Sequence, residues 1–229
     1  MNKNLVYDLP TRLFHWLLVV LFYYCYFIAS EVDSGLVLYS THMLFGIVLL
    51  FLVLFRIYLG FFGSYFSRFK SLTLSITKLI SYFKNLFLKN NVPVLGHNPA
   101  SSWVLISVVT LILIIASSGL SMALKIAPEW FEELHAWSAN ILLGISVLHI
   151  FGVMFHSYTH KDQLWMSQII GKKMAIPGEV SHDYDEKKSM KLGLILIAGL
   201  LLLMSFLFFN FNSETRILRV FNTEFDLGD

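Results

Sequence analysis

The chain is poor in cysteine and in charge. Its single cysteine, Cys25, excludes an internal disulfide, and no Cys-x-x-Cys-His stretch occurs, which excludes a covalently attached c-type haem. Charged residues make up 14% of the 229 positions and hydrophobic ones 56%, with a mean hydropathy of +0.67, which does not describe a soluble surface. A net charge of +2 says little by itself, and no nucleic-acid partner is expected. What is present instead is five apolar runs, Leu13–Ala29, His42–Phe62, Trp103–Leu124, Phe131–Tyr158 and Leu192–Phe211. Each is near the roughly 20 residues that a helical membrane span requires. The first run follows a basic start and ends in Ala29-Ser30, as a secretory signal does. Its length and aromatic content favour a retained span, and a mature chain beginning near Glu31 would contradict that.

Acidic residues are missing altogether from the connection between Arg56 and Pro99, which carries Arg56, Arg68, Lys70, Lys78, Lys84 and Lys89. With Lys3 and Arg12 near the start, this puts the N-terminus and that connection on the cytoplasmic side. The alternate connections, with Glu31 and Asp33 and with Glu129, Glu132 and Glu133, face outward. The expected localisation is the bacterial inner membrane, N-terminus cytoplasmic and C-terminus periplasmic. Within the basic connection, Phe69, Leu72, Ile76, Leu79, Ile80, Phe83, Leu86 and Phe87 recur at helical spacing. They predict a cytoplasmic amphipathic helix lying on the membrane surface or against a partner. Pro93 and Gly96-His97-Asn98-Pro99 stop it and turn the chain into the third span.

The third and fifth spans contain no histidine, whereas the other three do. His135 and His149 lie fourteen residues apart in the fourth span, within roughly 40° on one helical face and about 21 Å apart along the axis. His42 opens the second span after an acidic outer connection, as His135 opens the fourth, so these two meet near the outer face. His15 lies fourteen residues before Ala29 in a span of opposite sense, which matches the depth of His149. Two stacked pairs result, His42/His135 outside and His15/His149 inside. Ionisable residues at membrane depth are functional candidates by default. Bis-imidazole pairs between helices suit b-type haem. Gly46, four residues after His42, and Gly119 in the third span give a flat ring room, and Arg12 and Arg56 are candidates for its propionates or for lipid head groups. His156, seven residues after His149, competes for the inner ligand role. His97, His160 and His182 are expected to be solvated in cytoplasmic loops.

The stretches YDLPTRLFHW, THMLFGIVLLFLVLFRIYLGFFGS, LGHNPASS and ELHAWSANILLGISVLHIFGVMFHSYTH together resemble the bacterial di-haem cytochrome b family, from about Leu5 to Lys173. That family includes b-561 type cytochromes and the b-type subunits of membrane-bound nickel-iron hydrogenases. The resemblance implies a four-helix bundle holding two haems b on His15, His42, His135 and His149. The fold expected is therefore an all-α integral membrane protein: a four-helix transmembrane haem-binding bundle over residues 1–173, a cytoplasmic linker over 174–191, an extra transmembrane helix over 192–211 and a periplasmic tail over 212–229. The extra helix and tail are read as an assembly element, the helix packing on a neighbour through Gly193, Ala198, Gly199 and Ser205 and the tail ordering on a partner.

The expected function is electron carriage between a periplasmic cytochrome or oxidoreductase subunit and membrane quinone. The alternative is a stand-alone quinone-reducing superoxide oxidase. A zinc or copper transporter would need polar residues between the two sites, and the fourth span has almost none there.

Overall fold

The computed structural model describes residues 3–88, 96–160, 164–174, 185–221 and 223–227. Five long helices carry the chain: α1 (Leu9–Glu31), α2 (Ser40–Phe62), α4 (Pro99–Ala123), α5 (Trp130–His160) and α7 (Glu186–Asn210), with α3 (Ile76–Phe87) and the short α6 (Ser167–Ile170) between them. Each of the five expected spans falls on a helix long and apolar enough to cross a membrane, the third and fifth overrunning theirs by one residue, Leu124 and Phe211. The chain divides into two compact units. The first comprises Met1–His15, Arg56–Val109 and Leu142–Gly193, and the second Trp16–Phe55, Thr110–Ile141 and Leu194–Asp229.

In the first unit, short polar signals begin the helices. Asp8 caps α1 by accepting the Thr11 N–H at 3.1 Å, and Asn98 caps α4 by accepting the Ser101 N–H at 2.7 Å, with Pro99 at the first helical position. Asp185 accepts the Lys188 N–H at 2.9 Å, so α7 begins inside the stretch expected to be linker. The rest of that linker, including Pro177, Gly178 and His182, lies outside the described residues. The N-terminal strand β1 (Lys3–Leu5) pairs antiparallel with β2 (Lys172–Met174), a sheet too short to leave a periodic signal. The Gly171 carbonyl accepts both the Val6 and the Tyr7 N–H. Gly171 has φ +75, and a Cβ there would lie 2.6 Å from the Tyr7 carbonyl oxygen, so glycine is required on two counts.

The amphipathic helix is shorter than its pattern. Ser75 caps it, and Phe69 and Leu72 lie before it, because local bonds such as Ser71 Oγ to the Arg68 carbonyl turn that stretch into 3-10 geometry. Phe69 instead lies over Gly60, where a Cβ would run into its ring. Along α3, Ile76, Ile80, Phe83 and Phe87 are exposed while Leu86 is buried, leaving one apolar face open as a membrane-surface helix does.

In the second unit, the residues after α7 form a three-stranded antiparallel sheet, β3 (Phe211–Asn212), β4 (Ile217–Val220) and β5 (Thr223–Asp226). The tail thus orders on its own chain, where a partner had been expected. Leu218 and Leu227 are buried, the Ser40 hydroxyl donates to the Leu227 carbonyl at 2.8 Å, and Arg216 donates to the Ser34 carbonyl at 2.6 Å. Of the small residues of α7, Gly193 and Gly199 likewise face the chain's own helices, whereas Ala198 and Ser205 are exposed. A Cβ at Gly193 would lie 2.9 Å from Leu9 in the first unit, and one at Gly199 would lie 2.8 Å from Phe51 in the second. Leu201, Leu202, Phe208 and Phe209 remain exposed, as lipid-facing residues are.

Truncating the buried Leu218 to Ala removes packing worth about 2–5 kcal/mol. The variant is expected to lose protease protection of the C-terminal sheet while its helix content, read by circular dichroism, stays unchanged. Equal protease resistance would show that the sheet is held by its hydrogen bonds alone.

Candidate functional site

The second unit brings His42 of α2 and His135 of α5 together. Their ring centroids are 6.0 Å apart and the planes are inclined by 64°. Two imidazoles bound to one metal at about 2 Å per bond, on opposite sides, have centroids about 6 Å apart. The hydrogen bonds fix how the rings point. His42 Nδ1 lies 2.9 Å from the Cys25 carbonyl oxygen, and His135 Nδ1 lies 2.9 Å from the Ile115 carbonyl oxygen. A carbonyl has no hydrogen to give, so each Nδ1 is the donor. In a neutral ring the lone pair then resides on Nε2, the form of imidazole that binds a metal.

Gly119 makes the second of these bonds possible. A Cβ on it would sit 3.1 Å from His135 Cε1, so the glycine admits the imidazole to the surface of α4 beside the Ile115 carbonyl. The room expected there for a flat macrocycle is used by the histidine ring. At Gly46, by contrast, a Cβ would meet no atom within 4 Å, which suits a macrocycle lying against α2. Tyr39 stacks beside His42 at 5.9 Å, and Ser118 Oγ, which donates to the Ile114 carbonyl, lies 3.2 Å from His135 Nδ1.

The first unit contains His15 and His149 within electrostatic reach of each other. Around them is a set of buried polar groups. Arg56 is 1% exposed, which removes the lipid head-group reading for it. Its Nη1 donates to the Ser67 carbonyl at 2.9 Å, its guanidinium lies 5.7 Å from the Phe69 ring centroid, and its Nη2 is buried without a hydrogen-bond partner among the described residues. Asp8 lies within electrostatic reach of Arg56 and accepts from the Thr11 N–H and the Ser67 hydroxyl. Arg12 donates from Nη1 to the Ile169 carbonyl at 2.7 Å, while its Nε is buried and without a partner among the described residues. His156 is buried too, with Nδ1 3.0 Å from the Tyr82 hydroxyl, to which Asn98 also donates.

His97 departs from its expected solvated position. It is buried beside Tyr7, ring centroids 5.5 Å apart, because the turn into α4 packs against the segment before α1 instead of looping into solvent. The His160 side chain and His182 lie outside the described residues.

Five membrane-length helices with histidines paired between them define a polytopic helical protein equipped to hold a flat metal cofactor in its interior. The model of prokaryotic cytochrome b561 matches residues 6–171, and the chain belongs to that family. It is therefore a multi-pass membrane b-type cytochrome, a haem b protein of electron transfer. No curated protein and no solved structure matches the chain.

Valine at position 119 would push branched carbons into the His135 ring, where even a Cβ is tight, at an overpacking cost of about 1–3 kcal/mol. Gly119→Val is expected to lower haem content by the share bound to the His42/His135 pair, measured as pyridine haemochrome per chain. Unchanged haem content would mean that His135 reaches its working position without the glycine.

Proposed function

We propose that the chain carries two haems b, one between His42 and His135 and one between His15 and His149, and passes electrons between a periplasmic redox partner and membrane quinone. The observation that carries this reading is the His42/His135 pair: two helices, rings 6.0 Å apart, and each Nδ1 committed to a backbone carbonyl. Bound there, the haem iron supplies one-electron chemistry. The protein's own contribution is to hold the ligand rings in one tautomer, to keep water away, and to offer donors for the propionates.

His15/His149 is favoured over a pair containing His156, because His15 and His149 lie within electrostatic reach of each other while the His156 ring is stacked on Tyr82 at 6.2 Å. Arg12 and Arg56 each keep a buried guanidinium nitrogen without a partner among the described residues, which suits propionate oxygens near that haem. His135 and His149 sit fourteen residues apart on one uninterrupted helix, so the two haems form a wire along α5. Glu129, Glu132 and Glu133 are exposed at the start of α5 and favour a basic face on the periplasmic partner, a cytochrome or an oxidoreductase subunit. The basic connection between Arg56 and Pro99 supports an inner-membrane orientation with that connection and the N-terminus cytoplasmic.

The two haems are expected to be separable. His42→Ala and His135→Ala remove the same haem, His15→Ala and His149→Ala the other, and His156→Phe keeps both, read from reduced-minus-oxidised spectra. Axial imidazoles 64° from parallel give a highly anisotropic low-spin EPR signal, which only the first two variants should abolish. Loss of one and the same haem in His42→Ala and His15→Ala would overturn the pairing.

A further inference from the structure

Among the described residues, one buried histidine without a hydrogen bond stands at the turn into α4. Neither ring nitrogen of His97 has a partner there. A buried donor left unsatisfied costs about 1–3 kcal/mol, and none of the described residues answers it. Cations stand close by. Lys173 donates to the Gly96 carbonyl at 2.7 Å and lies 5.3 Å from the centroid of the Tyr7 ring against which His97 packs. Arg56, buried with a free Nη2, is within electrostatic reach of His97, and so are His149 and His15. Burial first, then Arg56, Lys173, His149 and His15, pushes His97 down to about 3, so the ring is neutral and offers one N–H.

What is missing is a hydrogen-bond acceptor. Asp8 is a buried carboxylate of this unit, but its oxygens already take the Thr11 N–H and the Ser67 hydroxyl. The His97 ring and Arg56 Nη2 are thus two buried donors without an acceptor among the described residues. The two chemistries that could supply the acceptor oxygens are a carboxylate of the prosthetic group and the phosphate of a lipid head group. His15 and His149 stand in the same field, and His97 is enclosed beneath Tyr7, which favours the carboxylate of a group that is itself enclosed.

We propose that His97 is a propionate-binding residue, donating its ring N–H, alongside Arg56 Nη2, to a propionate of the haem held by His15 and His149. This rests on the ligand assignment above and adds a third donor to the two arginines. His97 thereby positions that haem and stabilises its anionic edge, so that losing the donor lowers the midpoint potential of that haem and leaves the other unchanged.

The test compares the wild-type protein, His97→Gln, which keeps an N–H donor, and His97→Leu, which does not. The Leu variant is expected to retain both haems with the potential of one of them lowered, and the Gln variant to restore it. Equal potentials in all three would overturn the proposal. A measurement that needs no stable Leu variant is the dipolar coupling between 15N-histidine and 13C-carboxyl-labelled haem in the reduced, diamagnetic wild type. The coupling is expected, and it should vanish in His97→Gln. Its absence from the wild type would overturn the proposal, as would loss of a bound anionic lipid in His97→Leu, read by native mass spectrometry, with both potentials unchanged. A wild-type protein lacking the haem assigned to His15 and His149 would instead refute that assignment, a result distinct from all of these.

Discussion

The arrangement depends on where a neutral imidazole in an apolar interior puts its one hydrogen. Water is not there to take it, so a helix carbonyl with a second lone pair does, and the other nitrogen is left bare. His42 uses Cys25 and His135 uses Ile115. Because both acceptors belong to helices other than the one carrying the histidine, each bond also ties two helices together. The glycine at 119 belongs to the same arrangement, since a side chain on α4 would hold the ring away from its acceptor. Ligand tautomer, ring orientation and helix packing therefore follow from one choice of hydrogen-bond partner.

The first unit solves a different problem. It buries Arg56 and surrounds it with Asp8, Ser67 and Phe69, a set drawn from the start of α1 and from the turns after α2. A buried guanidinium without such company would be costly by several kcal/mol. The β1/β2 pair and the Gly171 carbonyl fix the segment that leads into Asp8.

Much of this was legible in the sequence, and the reason is physical. Membrane spans are long, uniform and bounded by charge, so all five could be read from composition. Fourteen residues between His135 and His149, and again between His15 and Ala29, carry the helical phase from which two stacked pairs were read. The features missed are those set by contacts rather than by period. Three-residue strands have no pattern to show, and the C-terminal sheet is held by Ser40 and two buried leucines at distant positions. The start of α3 was placed too early because Phe69 shares its apolar phase while being claimed by Gly60 and Arg56. His97 was assigned to solvent because a polar residue near Pro and Asn ordinarily lies there, and nothing local in the chain announces that Tyr7, from the far side of three helices in the sequence, will pack against it.

The central claim is that the four histidines bind haem in two separate pairs, and the most direct measurement of it is haem b per polypeptide in the purified wild-type protein. Quantified by pyridine haemochrome against amino-acid analysis, the ratio should be two, with both haems low-spin. A ratio of one would leave one pair without its cofactor, and high-spin iron at either site would contradict ligation by two imidazoles.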